Sequence, residues 1–139
     1  MRVARYLVDK SALARLKTDP VAEVLRPLVV RGLTGVCGMI ALELLYSSRN
    51  ADEHATISLA IDTREWLYTE DGDFRRAVEV QAALAATGRH RAVPPADLVI
   101  AAVAERHKVT VLHYDSDFDL IADITGQPTQ WVVPRCSLN

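Results

Sequence analysis

Apolar residues fall into two rhythms along this chain. Short runs rich in Val, Leu and Ile alternate with longer segments in which apolar positions recur every three or four residues. The runs read as buried strands and the longer segments as helices that cover them. Residues 3–8 read as a first strand ending at Asp9, and residues 10–17 as a short helix. Asp19 before Pro20 is a helix-start signal for a segment that runs toward Arg31. Residues 33–36 read as a second strand, 39–48 and 51–63 as helices, and 65–69 as a strand. Residues 71–87 form a long helix with Gly88 placed to close it. After the loop 89–94, Pro95 suits the first helical position, where a missing N–H costs nothing. Residues 109–112 read as another strand, followed by an acidic turn into a helix, and 129–133 as the last strand. Alternating strands and helices predict an α/β fold, a central parallel sheet flanked by α-helices.

The stretch from Val93 to Ala122 organises the rest. Leu98, Val99, Ile100 and Val103 make its helix apolar on most of its circumference, which predicts burial. Asp97 stands in the first turn of that helix, and Asp115, Asp117 and Asp119 follow the strand 109–112. A buried carboxylate is costly unless paired or bound to a metal. Ordinary structural roles also exist: Asp97 suits the positive end of the helix dipole, worth about 0.3–1 kcal/mol, and Asp115 can cap the next helix. Asp9 ends the first strand. Ligands of open α/β sheets bind beyond the C-terminal strand ends, so Asp9 and the 115–117 pair share a rim if their strands are neighbours. Glu43 is the one charge in the apolar helix Met39-Ile-Ala-Leu-Glu-Leu-Leu-Tyr46. Its neighbours three and four residues away, Met39, Ile40, Tyr46 and Ser47, include no cation. It is either a solvated glutamate or one held at a cleft for function.

Composition narrows the class. A chain of 139 residues, half of them apolar, is most simply one domain, 1–139. No apolar run reaches the roughly 18 residues of a membrane span, and Asp9-Lys10 interrupts the N-terminal stretch too early for a signal peptide. Cys37 lies in an apolar strand and Cys136 in the tail, with no metal-ligand spacing, so a cytoplasmic protein without disulfides is expected. A net charge of −2 argues against coating nucleic acid by bulk electrostatics, though not against binding it locally.

Five carboxylates, Asp9, Glu43, Asp97, Asp115 and Asp117, could meet in one cleft. Such a set repels itself, and a divalent cation resolves the repulsion. Mg²⁺ and Mn²⁺ prefer oxygen ligands and also bind phosphate oxygens. With no His or Cys ligand set, the chemistry points to phosphodiester hydrolysis rather than zinc catalysis.

The motifs Tyr6-Leu-Val-Asp-Lys-Ser-Ala12, Ala41-Leu-Glu-Leu-Leu-Tyr46, Val93-Pro-Pro-Ala-Asp-Leu-Val-Ile-Ala-Ala102 and Val111-Leu-His-Tyr-Asp-Ser-Asp-Phe-Asp-Leu-Ile-Ala122 carry a resemblance. The chain resembles the PIN-domain ribonucleases, in particular VapC-type toxins of bacterial toxin–antitoxin pairs. The resemblance implies a PIN fold and a Mg²⁺- or Mn²⁺-dependent endoribonuclease. It implies that Asp9, Asp97 and Asp115 hold the metal, that Glu43 orients or deprotonates the attacking water, and that Asp117 shares or takes over the role of Asp115. Ser11 matches the family's small hydroxyl residue after the first Asp, which could hold Asp9 or a metal-bound water and so lie at the substrate; a helix N-cap is its ordinary reading. Where many relatives have Thr, this chain has Lys10, an added cation near the site. The Arg89-His-Arg91 run suggests a phosphate-contacting edge, with Arg91 its candidate. His113 reads as a bystander. The implied partners are a VapB-type antitoxin, an RNA substrate (tRNA or rRNA), and a second copy of the chain in a homodimer. The antitoxin would use an apolar groove between Pro20 and Thr63. The competing readings are a PIN-like module that binds RNA or protein without cutting, a receiver domain and an Asp-x-Asp phosphatase. The intact acidic set argues against the first. The last two need a second acid just after the first strand, where Lys10 and Ser11 stand.

Overall fold

The computed structural model describes residues 3–138. Five strands are present among them: β1 (Tyr6–Val8), β2 (Thr34–Val36), β3 (Glu65–Trp66), β4 (Thr110–His113) and β5 (Thr129–Trp131). They form one sheet in the order β3-β2-β1-β4-β5, with every pairing parallel. Seven helices are described: α1 (Lys10–Leu13), α2 (Asp19–Val30), α3 (Gly38–Tyr46), α4 (Ala51–Asp62), α5 (Asp71–Ala85), α6 (Pro95–His107) and α7 (Asp117–Thr125).

The two faces of the sheet follow the two-residue period of a strand. Leu7 on β1 and its partner Val111 on β4 belong to one core, with Val36, Ile40, Leu84, Ile100 and Phe118. Val8 and its partner Leu112 face the other core, with Ala12, Val21, Leu25 and Val132. Each fully buried aliphatic side chain contributes about 1.5–3 kcal/mol. Helix α6 is buried at every position from Asp97 to Ala104, as its all-round apolar pattern predicts. Its C-cap Lys108 takes the left-handed conformation at φ 58°, and the Val109 N–H donates back to the Ala104 carbonyl (3.1 Å).

Where elements are shorter than the sequence suggests, a competing hydrogen bond ends them. The first strand begins at Tyr6 rather than residue 3, because the Glu65 carboxylate accepts the N–H groups of Val3 and Ala4 (2.9 and 3.0 Å). The third strand stops at Trp66, one sheet bond further being made by Leu67 N–H to the Val36 carbonyl (2.8 Å). The Tyr68 carbonyl accepts from Arg106 instead (2.6 Å). Helix α3 closes at Tyr46, where the hydroxyls of Ser47 and Ser48 donate back to the Leu44 and Leu45 carbonyls. Helix α1 is a single turn, and residues 14–17 continue as turns. Cys37 is not in a strand; it is the buried N-cap residue of α3. Among the described residues, no helix is long and apolar enough to cross a membrane.

Candidate active site

The strand order reverses direction between β1 and β4. From β1 the chain steps outward to β2 and β3, then returns to lay β4 on the other side of β1 and β5 beyond it. Such a switch point opens a crevice at the C-terminal strand ends. Asp9 leaves β1 there, and its own N–H donates to the Leu112 carbonyl of β4 (2.9 Å). Asp115 follows β4 two residues past its end. The N-terminus of α6 brings Asp97, and α3 brings Glu43. The condition set by the sequence, that the strands before Asp9 and Asp115 be neighbours, is met.

These residues line one cavity of about 310 Å³, which includes Asp9, Ser11, Glu43, Asp97 and Asp115 together with Lys10 and Arg15. Asp97, Asp115 and Asp117 each offer a carboxylate oxygen, and the three atoms lie within 4.8 Å of one another. Asp9 is the N-cap residue of α1: its Oδ2 accepts the Ser11 N–H (2.9 Å), whereas its Oδ1 is buried with no hydrogen-bond partner. Ser11 is therefore inside the helix rather than its N-cap. Its hydroxyl accepts the Tyr114 N–H (2.9 Å), tying α1 to the end of β4. The N-cap residue of α7 is Ser116 rather than Asp115, but Asp115, one residue earlier, accepts the Asp117 N–H at Oδ1 (2.9 Å).

The carboxyls are held away from their ordinary behaviour. Burial pushes Asp97 up to about 8, reinforced by the charges of Asp9, Asp115, Asp117 and Glu43. Asp117 is raised by burial and by Asp115. Glu43 is raised by burial and by Asp9, with Lys10 acting against them. A cluster that resists its own ionisation, beside a buried carboxylate oxygen with no donor, fits a hard divalent cation by charge and by ligand type. Asp9, Asp97, Asp115 and Asp117 are the groups able to hold one.

Arg91 lies in an exposed turn before α6 and does not line this cavity. Arg15, which sequence reasoning passed over, does line it; it follows Ser11 by four residues, and its guanidinium donates to the Ser11 carbonyl (2.7 Å). His113 is fully buried, and its pKa is lowered chiefly by that burial. Its Nδ1 accepts the Asp115 N–H (3.2 Å), so it steadies the acidic turn from beneath. A second, larger cavity of about 610 Å³ adjoins the first. Ser11, Arg15 and Asp115 line both, and Tyr114, Trp131 and Arg135 wall the larger one.

The sequence profile of the PIN domain matches residues 6–124. Ribonuclease VapC21 of Mycobacterium tuberculosis is 47% identical over 130 residues, covering 93% of this chain and 94% of that protein. Ribonuclease VapC51 of the same organism is 41% identical over 136 residues, covering 97% and 98%. The chain superimposes on a DNA-bound VapBC from Salmonella typhimurium with a TM-score of 0.76 at 18% identity, over 94% of this chain and 99% of that one.

Proposed function

Because the chain belongs to the PIN-domain family, we propose that it is the VapC-type toxin of a type II toxin–antitoxin pair. Its activity would be a Mg²⁺- or Mn²⁺-dependent endoribonuclease. The observation that carries the reading is the meeting of Asp97, Asp115 and Asp117 within 4.8 Å. They stand beside Asp9, whose buried Oδ1 has no donor. The likeness to proteins named as ribonucleases over nearly the whole chain supports it.

In this mechanism Asp9, Asp97 and Asp115 would hold the ion, with Asp117 supporting Asp115. The cation, when bound, supplies Lewis-acid polarisation of the phosphate and a lowered pKa for water. Glu43, its own pKa raised, orients the attacking water and accepts its proton. Ser11 N–H fixes the Asp9 carboxylate, and the Ser11 hydroxyl proton remains available to substrate. Lys10 and Arg15, on the same wall, meet the phosphates that flank the cleaved bond. Arg91, further out, is a weaker candidate for that contact.

A VapB-type antitoxin is the proposed partner, and VapBC complexes are among the structural neighbours. An apolar groove formed by Leu13, Leu16, Leu25, Val29 and Val30 offers such a partner a seat. Leu42, Tyr46 and Leu59, 66, 89 and 72% exposed, leave further apolar surface on α3 and α4 for a homodimer.

The test is cleavage of total cellular RNA by the purified, partner-free chain in Mg²⁺, in Mn²⁺ and in EDTA, beside Asp9→Asn and Asp97→Asn. Discrete products that require metal and vanish in both folded variants are expected. Cleavage that persists in both variants overturns the assignment. A folded chain that cuts no RNA in either metal, but still binds it, is a non-cutting module.

A further inference from the structure

We propose that the groove beside the acidic cavity is a subsite for one unpaired nucleotide adjoining the cleaved phosphodiester. Trp131 would be its stacking platform, and Arg15 and Arg135 its phosphate contacts. The inference rests on the ribonuclease reading above and adds to it where the strand runs.

Three observations carry it. The groove is continuous with the acidic cavity through Ser11, Arg15 and Asp115, so an RNA held at the acids has its next nucleotide in the groove. Its volume of about 610 Å³ lies in the range of roughly 300–1,000 Å³ that encloses a small organic ligand.

The groove also pairs cations with aromatic rings. The Arg15 guanidinium lies 4.6 Å from the centre of the Tyr114 ring, and that of Arg135 lies 5.8 Å from the centre of Trp131. Tyr114 and His113 meet Trp131 edge-on, at 85° and 61°. Neither Arg15 nor Arg135 forms an ion pair among the described residues. What sets this groove apart is that both of its arginines lie against aromatic rings, an arrangement that suits a base and the phosphate it carries. Aromatic faces lined by cations bind single-stranded nucleic acid without needing a particular base.

Finally, the platform is braced. The indole N–H of Trp131 donates to both carboxylate oxygens of Asp119 (3.2 Å each), which fixes the ring plane beneath the Arg135 guanidinium. Arg135 sits near the outer limit, about 6 Å, for a cation over a ring. A base therefore displaces the guanidinium toward the phosphate that the base carries. The chain after β5 turns back across the groove through Cys136, at φ 62°, and through Ser137 N–H to the Pro134 carbonyl (3.1 Å). It is pinned there by Leu138 N–H to the Tyr114 hydroxyl (3.1 Å).

The chain has two tryptophans, and Trp66 lies on β3 at the opposite edge of the sheet. Trp66→Phe therefore leaves Trp131 as the sole indole reporter. The experiment titrates this variant, with Asp97→Asn added to prevent cutting, with a fluorescein-free twelve-nucleotide single-stranded RNA in Mg²⁺. Binding should quench Trp131. Arg135→Ala, at an exposed position, and Arg15→Ala should each weaken binding and lower the salt slope by about 0.7. Trp131→Ala and Trp131→Phe remove the reporter and are read by calorimetry; the first should weaken binding by about 5- to 150-fold and the second should retain most of the affinity. RNA binding without quenching, with Kd and salt slope unchanged in both arginine variants, overturns the subsite and leaves the ribonuclease reading standing. Quenching and arginine losses, from a chain that cuts no RNA with Asp97 intact, support the groove as an RNA site while the ribonuclease reading falls. Quenching by the antitoxin but not by RNA overturns the proposal and gives the groove to a peptide.

Discussion

Asp97 concentrates the conflict on which the site is built. It is 8% exposed, and its pKa is lifted to about 8 from an ordinary 3.8, first by burial and then by four neighbouring carboxylates. The folded state thus keeps a proton that the unfolded chain releases between those two values. The stability this group contributes is full below about pH 4 and is lost as pH rises through about 8. Thermal unfolding in EDTA should accordingly show a falling midpoint from pH 6 to pH 9, and Asp97→Asn should flatten that fall. Mg²⁺ or Mn²⁺ should restore the midpoint at pH 9 in the parent chain and not in the variant. A metal-free midpoint that rises over this window would contradict the account. The acids themselves were legible from sequence, because each stood where a carboxylate is unexpected: at a strand end, at the start of a buried helix, or alone in an apolar one. Arg15 and Trp131 were not. Their neighbourhood depends on β5 lying beside β4, and no residue pattern encodes that.

At the scale of elements, side chains decide where the backbone ladders stop. Arg106 on α6 donates to both oxygens of Asp73 on α5 (2.8 and 3.0 Å) and to the Tyr68 carbonyl. Asp73 is 2% exposed. Burial would raise its pKa, but the Arg106 hydrogen bond and the Glu70 N–H outweigh it and hold the carboxyl below its ordinary value. That stability is present above about pH 4 and is lost only in stronger acid, a window separate from that of Asp97. Arg106→Ala strands a buried charge and should cost about 2–3 kcal/mol, somewhat less than a fully enclosed pair because the guanidinium is a third open to water. Arg49→Ala, on an exposed i,i+4 pair, should cost under about 1 kcal/mol. Chemical denaturation of both variants checks the contrast, and equal losses would refute it. Helix and strand order was legible from periodicity. The termini were not, because Glu65 and Arg106 intercept sheet donors and acceptors from residues far away in sequence.

At the scale of the whole molecule, the alternation of strands and helices pointed to a parallel sheet, while the order β3-β2-β1-β4-β5 came only with the structure. That order converts four separated acidic segments into one crevice. It does so because β1 and β4, far apart in the chain, are hydrogen-bonded neighbours in the register Leu7 with Val111 and Val8 with Leu112.

Because the strands all run the same way, the molecule has a working end and a handling end. The turn at Arg31 and Gly32, exposed and just before β2, lies at the N-terminal side of the sheet, a sheet's length from the acids. Extra chain there adds little closure cost. A short Gly-Ser insertion between Arg31 and Gly32 should leave folding within about 1 kcal/mol of the parent and leave RNA cleavage intact. The same insertion between Asp115 and Ser116 should abolish cleavage. A tether or dye joined at the first position would then report on single molecules, or hold them to a surface, with the acidic rim facing outward.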